Sequence, residues 1–345
     1  MKIGLVCPSN ILYMPYVNNY LDILENIDVE YEIINWDRFN YDETKTISYK
    51  DKKIGHSRNF WDYYKYKNFL IKHLKNNNYN KLIVFGVQLT FFLNNYLLKN
   101  YKNKFIIDIR DYHKLIYFFR LNKLINYSFS TIISSPGYKN WLPESDKYLI
   151  NHNTNSKSYD GINKFSFNKN EINISYIGSI RNYKINKKLI TNLMNKFNFN
   201  LLYHGYGEDT DKLMKFVSRN EINNVTFTGK YVRKEEKTLY NKADFINILR
   251  NNKSINNRTA LPNRLYNSVI YSKPIIALEG TQLADIITNY SLGLVVESLE
   301  NIEGKILSYI DSFDINNYKK NRDMFLHKVI KENKLFKKKI TEFVD

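Results

Sequence analysis

The 345-residue sequence contains a single cysteine, Cys7, so no disulfide can form within the chain. This usage is typical of proteins of the reducing cytosol, and Cys7 ends an apolar strand, where a small buried core residue is expected. No uninterrupted apolar run approaches the roughly 20 residues that a membrane span needs. The first residues enter a strand and lack the pattern of a signal peptide. We therefore expect a cytoplasmic location.

Acidic residues are scarce relative to basic ones, with 34 Asp and Glu against 52 Lys and Arg and a formal net charge of +18. Such an excess attracts nucleic acid, anionic lipid or phosphorylated substrates. No group of basic residues has the spacing of a known nucleic-acid motif, so we expect no nucleic-acid partner. The charge favours contact with an anionic membrane surface. The histidines are scattered without the spacing of metal ligands, and we predict no metal site.

Short apolar, β-branched runs alternate with helical stripes along the chain, which is typical of doubly wound α/β domains. The predicted strands of the first half are 2–7, 31–36, 81–86, 104–110 and 131–134. Those of the second half are 172–177, 200–204, 224–228, 245–249, 274–278 and 294–297. The predicted helices are 15–24, 60–74, 91–98 and 318–344, and the polar residues 41–55 are predicted to form a loop.

An Asn-, Ser- and Lys-rich segment interrupts this alternation and has the composition of a linker. We therefore predict a Rossmann-like domain over residues 1–155, a linker over 156–170 and a second Rossmann-like domain over 171–324. The last part of the chain is helical and basic.

The stretch from Arg258 to Glu297 combines a polar loop, a short helix, a buried strand, a second helix and a final strand. Pro262 suits the start of the first helix, and the apolar run Pro274–Leu278 suits a strand that is covered on both faces. The loop before the helix therefore lies at the carboxyl edge of a parallel sheet. Helix N-terminal amides there, with Arg264 beside them, suit an anionic phosphate.

Two glycine-containing turns follow strands earlier in the second half. Residues 176–181 (Y-I-G-S-I-R) place Gly178, which permits close backbone approach, ahead of Arg181, which can bind a diphosphate with two N–H groups. Residues 204–208 (H-G-Y-G-E) let the chain turn tightly. The alternative is that both are ordinary turns and that Arg181 is merely solvated.

The order of these parts resembles the donor-nucleotide site of GT-B glycosyltransferases, in particular retaining family 4 and related bacterial capsule and adhesin-glycan enzymes. The residues that carry the resemblance are Pro262, Asn263, Arg264, Leu265, Asn267, Pro274–Ala277, Gly280 and Gly293–Val296, and residues 225–244 match a further family pattern. Two departures stand out. Asn267 occupies the place where many members carry the glutamate that holds the nucleotide ribose, and Ser272 replaces a glycine.

The resemblance implies two Rossmann-like domains that face each other across a cleft, with a last helix, about 325–345, that crosses back to the first domain. It implies that the backbone at 230–232 pairs with the nucleobase. The donor-binding residues that it implies are Gly178, Ser179, Arg181, Gly205, Tyr206, Tyr231, Val232, Pro262, Asn263, Arg264, Leu265 and Asn267.

The first half has a polar cluster at the carboxyl end of a predicted strand, residues 107–113 (I-D-I-R-D-Y-H). Charges at such a position meet solvent and are candidates for a site. We consider Asp111 and His113 as catalytic groups near an acceptor hydroxyl. The candidate acceptor contacts are Ser9, Asn10, Arg110 and Asp111. The alternative is an ion pair of Asp108, Arg110 and Asp111 that only fixes the loop.

These features predict a glycosyltransferase that moves a sugar from a UDP-sugar to a hydroxyl of a surface glycan, lipid-linked or protein-linked. Arg181 and Arg264 would act catalytically by offsetting the charge of the leaving diphosphate, so no metal or other cofactor is expected. The aromatic and basic residues 112–129 are either an interfacial helix on anionic lipid or a core helix. The rival functions are a sugar-nucleotide epimerase of the same two-domain plan and a degenerate scaffold for a partner transferase.

Overall fold

A computed structural model of the protein describes residues 1–154 and 166–345. The chain divides into two compact units. The first unit comprises Met1–Asn155 with Lys331–Asp345, and the second unit comprises Ser156–Ile330. Each unit is built on its own parallel sheet, with helices between most successive strands, so the predicted α/β fold class is confirmed.

The sheet of the first unit is built around short apolar strands, of which the central ones are buried on both faces. Its strands are β1 (Lys2–Val6), β2 (Glu30–Asp37), β3 (Thr46–Lys50), β4 (Lys81–Phe85), β5 (Phe105–Ile109), β6 (Ser130–Ile133) and β7 (Tyr148–Ile150). Its helices are α1 (Asn18–Asn26), α2 (Phe60–Asn76), α3 (Val87–Asn100) and α4 (Leu121–Tyr127). The spatial order is β3-β2-β1-β4-β5-β6-β7, so the strand order reverses between β1 and β4.

The second unit repeats this plan. Its strands are β8 (Ile172–Ile177), β9 (Phe199–His204), β10 (Val225–Gly229), β11 (Phe245–Asn247), β12 (Ile275–Leu278) and β13 (Gly293–Val296). Its helices are α5 (Tyr183–Leu193), α6 (Thr210–Arg219), α7 (Glu236–Lys242), α8 (Ile255–Thr259), α9 (Asn263–Ile270), α10 (Gln282–Asn289) and α11 (Ile302–Asp311). The order is β10-β9-β8-β11-β12-β13, with the reversal between β8 and β11. Ligands of such sheets bind at the carboxyl ends of the strands beside this reversal.

The last helix, α12 (Ile315–Val344), contributes to both units. Its earlier apolar side chains, among them Phe325 and Val329, pack in the core of the second unit. Its later ones, among them Phe336 and Ile340, pack in the core of the first. The predicted return of the last helix to the first domain is therefore confirmed.

A buried arginine attaches α12 to α9. Arg322 is 2% exposed, and it donates from Nε to the Val269 carbonyl at 2.9 Å and from Nη2 to the Ile270 carbonyl at 3.0 Å. These carbonyls belong to the last turn of α9, which lacks helical partners for them. The guanidinium therefore caps the C-terminal end of α9. It holds in place the helix whose first turn carries Arg264.

Two local predictions are wrong. The predicted loop 41–55 contains β3, which pairs in parallel with β2. As an edge strand that is nowhere fully buried, it needs few apolar residues, so the apolar signal is weak. Helix α3 begins at Val87, directly after Gly86, four residues before the predicted start. The predicted linker 156–170 falls mostly on residues 155–165, which lie outside the described residues.

The predicted single helix over 112–129 is divided into two short pieces, a 3₁₀ turn at Lys114–Phe118 and α4. They are separated at Phe119, whose backbone is extended. Leu121 and Leu124 are buried, whereas Tyr117 and Phe118 are 69% and 70% exposed. No helix in the described residues has both the length and the apolar run that a bilayer span requires.

Candidate functional site

The loop after β8 is shaped by a buried tyrosine. The hydroxyl of Tyr176 donates to the Ser179 carbonyl at 2.9 Å and accepts from the Arg181 amide at 3.2 Å. The loop therefore curls around this hydroxyl, at the carboxyl edge of the sheet beside the strand reversal. Gly178 has a φ of +126°, and a Cβ built there would meet no atom within 4 Å, so a ligand can approach this backbone closely.

The loop after β9 packs against the first loop, backbone to backbone. A Cβ on Gly205 would lie 2.1 Å from the Gly178 carbonyl oxygen, and one on Gly207 would lie 2.4 Å from the Ile180 carbonyl oxygen. Side chains at these two positions would push the loops apart, which is the physical reason for glycine at both. Between them Tyr206 is 48% exposed and donates to Asp211 at 2.7 Å. The two predicted glycine turns therefore form one structure.

A buried polar network joins this structure to the end of β11. Asn186, in the first turns of α5, is 0% exposed. Its Nδ2 donates to the Arg181 carbonyl at 2.8 Å. Its Oδ1 accepts from the Tyr203 hydroxyl at 3.2 Å and from Asn247 Nδ2 at 3.1 Å. Segments that follow three neighbouring strands are thus held in one arrangement.

Arg264 completes the network from the first turn of α9. Its Nη1 donates to the Asn247 carbonyl at 2.7 Å, and its guanidinium carbon lies 3.9 Å from the centroid of the Tyr176 ring. This cation–π contact directs Arg264 toward the loop that contains Gly178 and Arg181. Arg181 itself is exposed and its side chain makes no hydrogen bond or ion pair with another described residue. The structure therefore brings both predicted arginines to one edge of the second sheet.

The remaining predicted residues of α9 divide by burial. Pro262 is the residue before the helix, and Asn263 is its exposed first residue. Leu265 is fully buried in the core, so its part in any site is to position the helix.

The first turn of α5 is less open to an anion than predicted. The Tyr183 amide already donates to the Asp209 carboxylate at 3.0 Å. Asp209 and Asp211 form an Asp-x-Asp sequence, but Asp211 is likewise engaged, by Tyr206. A phosphate here would be met by the arginines and the loop backbone, and less by this helix end.

Part of the backbone in the predicted nucleobase segment, residues 230–232, already forms hydrogen bonds within its own turn. The Val232 amide donates to Glu235 at 2.8 Å, and the Val232 carbonyl accepts from the Glu235 amide at 2.9 Å. This leaves the backbone of Tyr231 as the better candidate for base pairing. The side chain of Asn267 already has a partner, because its Nδ2 donates to Glu236 at 3.3 Å.

Two of the four predicted acceptor contacts in the first unit are buried and fully used. Arg110 forms a double salt bridge with the 0% exposed Asp108, at 2.5 Å from Nε and 2.7 Å from Nη2. Its remaining N–H groups donate to Asn151 and Asn153. The structure therefore contradicts an acceptor contact by the Arg110 guanidinium and favours the alternative in which it fixes the loop.

Asn10 is also structural. It is 0% exposed, donates to Asp37 at 2.7 Å and accepts from the Arg38 amide at 2.9 Å. Burial alone would raise the pKa of Asp37, but hydrogen bonds from Asn10 and three backbone amides lower it. Asn10 therefore joins the ends of β1 and β2 and cannot also contact an acceptor. The neighbouring Ser9 is half-buried.

Asp111 and His113 are the accessible members of the cluster after β5. Asp111 is exposed, and His113 is half-buried. His113 Nδ1 accepts from the Leu115 amide at 3.2 Å, so the neutral ring carries its proton on Nε2. Burial, with the charge of Lys114, lowers the pKa of His113. The neutral imidazole, which the lowered pKa favours, presents an N–H donor at Nε2.

The residues that sequence reasoning missed are Tyr176, Asn186 and Asn247. The signal for Tyr176 is a polar hydroxyl in a strand two residues before a glycine, but the partners of the two asparagines are distant in sequence. Within the described residues, no group of three His, Cys, Asp or Glu side chains is arranged to hold a metal ion.

The fold is similar to those of several solved structures. A lipopolysaccharide outer core galactosyltransferase, WaaB, matches with a TM-score of 0.70 at 14% identity over 99% of each chain. A glycosyltransferase from Rickettsia africae ESF-5 matches with 0.67 at 12% identity, over 100% of this chain and 99% of that one. Anabaena Alr3699/HepE, solved with UDP and glucose, matches with 0.65 at 12% identity, over 99% and 100%.

No family model and no curated protein matches the sequence. At identities this low the structural likeness establishes the fold alone. The chain has the GT-B fold, as the resemblance of its motifs implies.

Replacing Arg110 by Ala should lower the free energy of unfolding of the first unit by about 3–5 kcal/mol, because it leaves Asp108 buried without its cation. All three tryptophans, Trp36, Trp61 and Trp141, belong to the first unit, so their fluorescence during urea unfolding reports on it. The exposed Arg120→Ala is the charge-matched control and should change stability by less than about 0.5 kcal/mol. Equal stability of the two variants would contradict the structural role.

Proposed function

We propose that the protein is a glycosyltransferase that transfers a sugar from a nucleotide-diphospho-sugar, a UDP-sugar, to a hydroxyl of a surface-glycan acceptor. The observation that carries this proposal is the stacking of Arg264 on Tyr176, the residue that shapes the loop of Gly178 and Arg181. Two guanidiniums and an unobstructed glycine backbone there suit a diphosphate. The likeness of the fold to a protein solved with UDP and glucose supports the choice of UDP.

The arginines also explain how the reaction would proceed without a metal ion. Breaking the bond between the sugar and the diphosphate leaves negative charge on the departing phosphate oxygens. Cations that are already in place stabilise that charge as it develops, with no reorganisation during the reaction. Arg264 is held by Asn247 and Tyr176, so its position is set before the donor binds. Retention of configuration is implied only by the family resemblance.

We assign the acceptor to the first unit, with Asp111 as the carboxylate nearest the acceptor hydroxyl. Asp111 is exposed at the carboxyl end of β5, where the chain has just left the buried pair of Asp108 and Arg110. His113 would contribute a hydrogen-bond donor through Nε2 and not a base, because Nδ1 already accepts from Leu115. Ser9 stays a candidate contact.

The rival functions have less support. An epimerase of this plan needs carboxylates that assist elimination from the nucleotide sugar, whereas Asp209 and Asp211, the carboxylates at the Arg181 loop, are engaged by the Tyr183 amide and the Tyr206 hydroxyl. A pure scaffold has no need of two arginines at one strand reversal. Glycosyl transfer therefore explains more features of the site than either rival function does.

The double variant Arg181→Ala/Arg264→Ala should weaken UDP binding at least about 100-fold, because each charge-assisted hydrogen bond contributes about 1.5–3 kcal/mol. Calorimetric titration measures this loss directly. The matched control is Lys215→Ala/Arg219→Ala, which removes the same charge from exposed positions of α6 and should retain nearly full affinity. An unchanged UDP affinity in the first variant would sink the site assignment.

We also propose that exposed aromatic side chains bring the enzyme to an anionic membrane, where a lipid-linked acceptor would be found. Tyr117 and Phe118 are 69% and 70% exposed, and the exposed cations Lys114 and Arg120 flank them. Aromatic rings beside cations suit the interface of a bilayer with anionic headgroups.

The variant Tyr117→Ser/Phe118→Ser should bind phosphatidylglycerol vesicles several-fold more weakly in a sedimentation assay, with little binding of either form to phosphatidylcholine. Phe197→Ser is the control, because Phe197 is 98% exposed in the second unit. Equal sedimentation of the two variants would refute this surface as the membrane contact.

A further inference from the structure

The first residue of α7, Glu236, is a half-buried carboxylate without a cationic partner among the described residues. Its Oε1 accepts from the Tyr231 hydroxyl and its Oε2 accepts from Asn267 Nδ2, each at 3.3 Å. A carboxylate at a helix N-terminus is favourable in itself. The helix dipole does not, however, require the side chain to lie between two polar groups of other segments.

The two partners of Glu236 belong to the two ends of the proposed donor site. Tyr231 lies in the segment that we assign to the nucleobase. Asn267 lies three residues after Arg264 on α9, so the two side chains are on the same face of that helix. Glu236 is therefore placed between the base segment and the diphosphate segment. In a nucleoside diphosphate, the ribose lies between the base and the phosphates.

We propose that Glu236 binds the 2′ and 3′ hydroxyls of the donor nucleotide's ribose, an inference that rests on the proposed function. An ionised carboxylate only accepts hydrogen bonds, and its charge repels a phosphate. Its ligand must therefore supply hydrogen-bond donors. The two adjacent hydroxyls of ribose supply one donor for each carboxylate oxygen. Each oxygen has one long hydrogen bond and retains a lone pair for a stronger one.

The two neighbours of Glu236 act as positioning residues. Burial, then the charge of Glu236 and the hydrogen bond to it, raise the pKa of Tyr231 to about 12, so its hydroxyl stays protonated and keeps donating. The amide of Asn267 holds the other oxygen from α9. A glutamate at position 267 would place two negative charges side by side, which is the physical reason for asparagine there. The carboxylate has in effect moved from α9 to α7.

The test compares calorimetric titrations with UDP and 2′-deoxy-UDP. The unaltered protein should prefer UDP by roughly ten- to 100-fold, as expected for a hydrogen bond to a charged group. Glu236→Gln should lose most of this preference by binding UDP more weakly, while its affinity for 2′-deoxy-UDP changes little. Glu300→Gln is the matched control, with the same charge change at an exposed position of the second unit, and should keep the preference.

Two further variants test whether Glu236 on α7 takes the place of a carboxylate at position 267 on α9. Asn267→Glu alone should weaken UDP binding because of repulsion from Glu236. Glu236→Gln/Asn267→Glu should recover much of the affinity and the preference for UDP. Thermal melting of each variant checks that it is folded.

The outcomes separate this inference from the proposed function. UDP binding that is strong but equal for the deoxy analogue, or unaffected by Glu236→Gln, would overturn the role of Glu236 and leave the glycosyltransferase intact. A preference that Glu236→Gln loses only for UDP-glucose over UDP-2-deoxyglucose would assign the carboxylate to the sugar hydroxyls and overturn the ribose assignment. Absence of any UDP binding to the unaltered protein would refute the proposed function itself, and this inference with it.

Discussion

One fully buried amide, the side chain of Asn186, holds together the segments on which the proposed donor site depends. It binds the Arg181 carbonyl, the Tyr203 hydroxyl and Asn247, whose carbonyl in turn holds Arg264. Loss of this amide would leave buried polar groups without partners, each at a cost of about 1–3 kcal/mol. Because the network is internal, the Arg264 guanidinium and the loop backbone are in place before any ligand arrives. The site is therefore preorganised by groups that need not touch the ligand.

The polar cluster at the end of β5 in the first unit likewise combines buried supporting groups with an exposed group. Asp108 and Arg110 point into the protein and satisfy each other, while Asp111 is exposed one residue later. Strand β5 ends at Ile109, and the chain leaves the interior between the buried Arg110 and the exposed Asp111. A row of charges at a strand end thus contains both the support of a site and its candidate reactive group.

Sequence reasoning succeeded where the signal is local and failed where it depends on distant partners. Apolar runs such as residues 82–85 predict buried strands because both faces of a parallel strand are covered. The edge strand β3 escaped prediction because exposure removes that signal. The placement of Arg264 and Gly178 at one edge of the second sheet could be predicted from spacing and family resemblance. The burial of Arg110 and Asn10 and the pairing of Glu236 with Asn267 could not, because they depend on contacts between segments far apart in sequence.

The central claim is that the second unit binds a nucleoside diphosphate through Arg181 and through Arg264, whose guanidinium is already held in place. It is tested most directly by calorimetric titration of the purified protein with UDP, GDP, UMP and CMP without added divalent metal. The account predicts that UDP binds at micromolar to millimolar strength and that UMP and CMP bind far more weakly, because they lack the second phosphate. Failure of both diphosphates to bind would contradict the account and favour a scaffold that retains the fold without the activity.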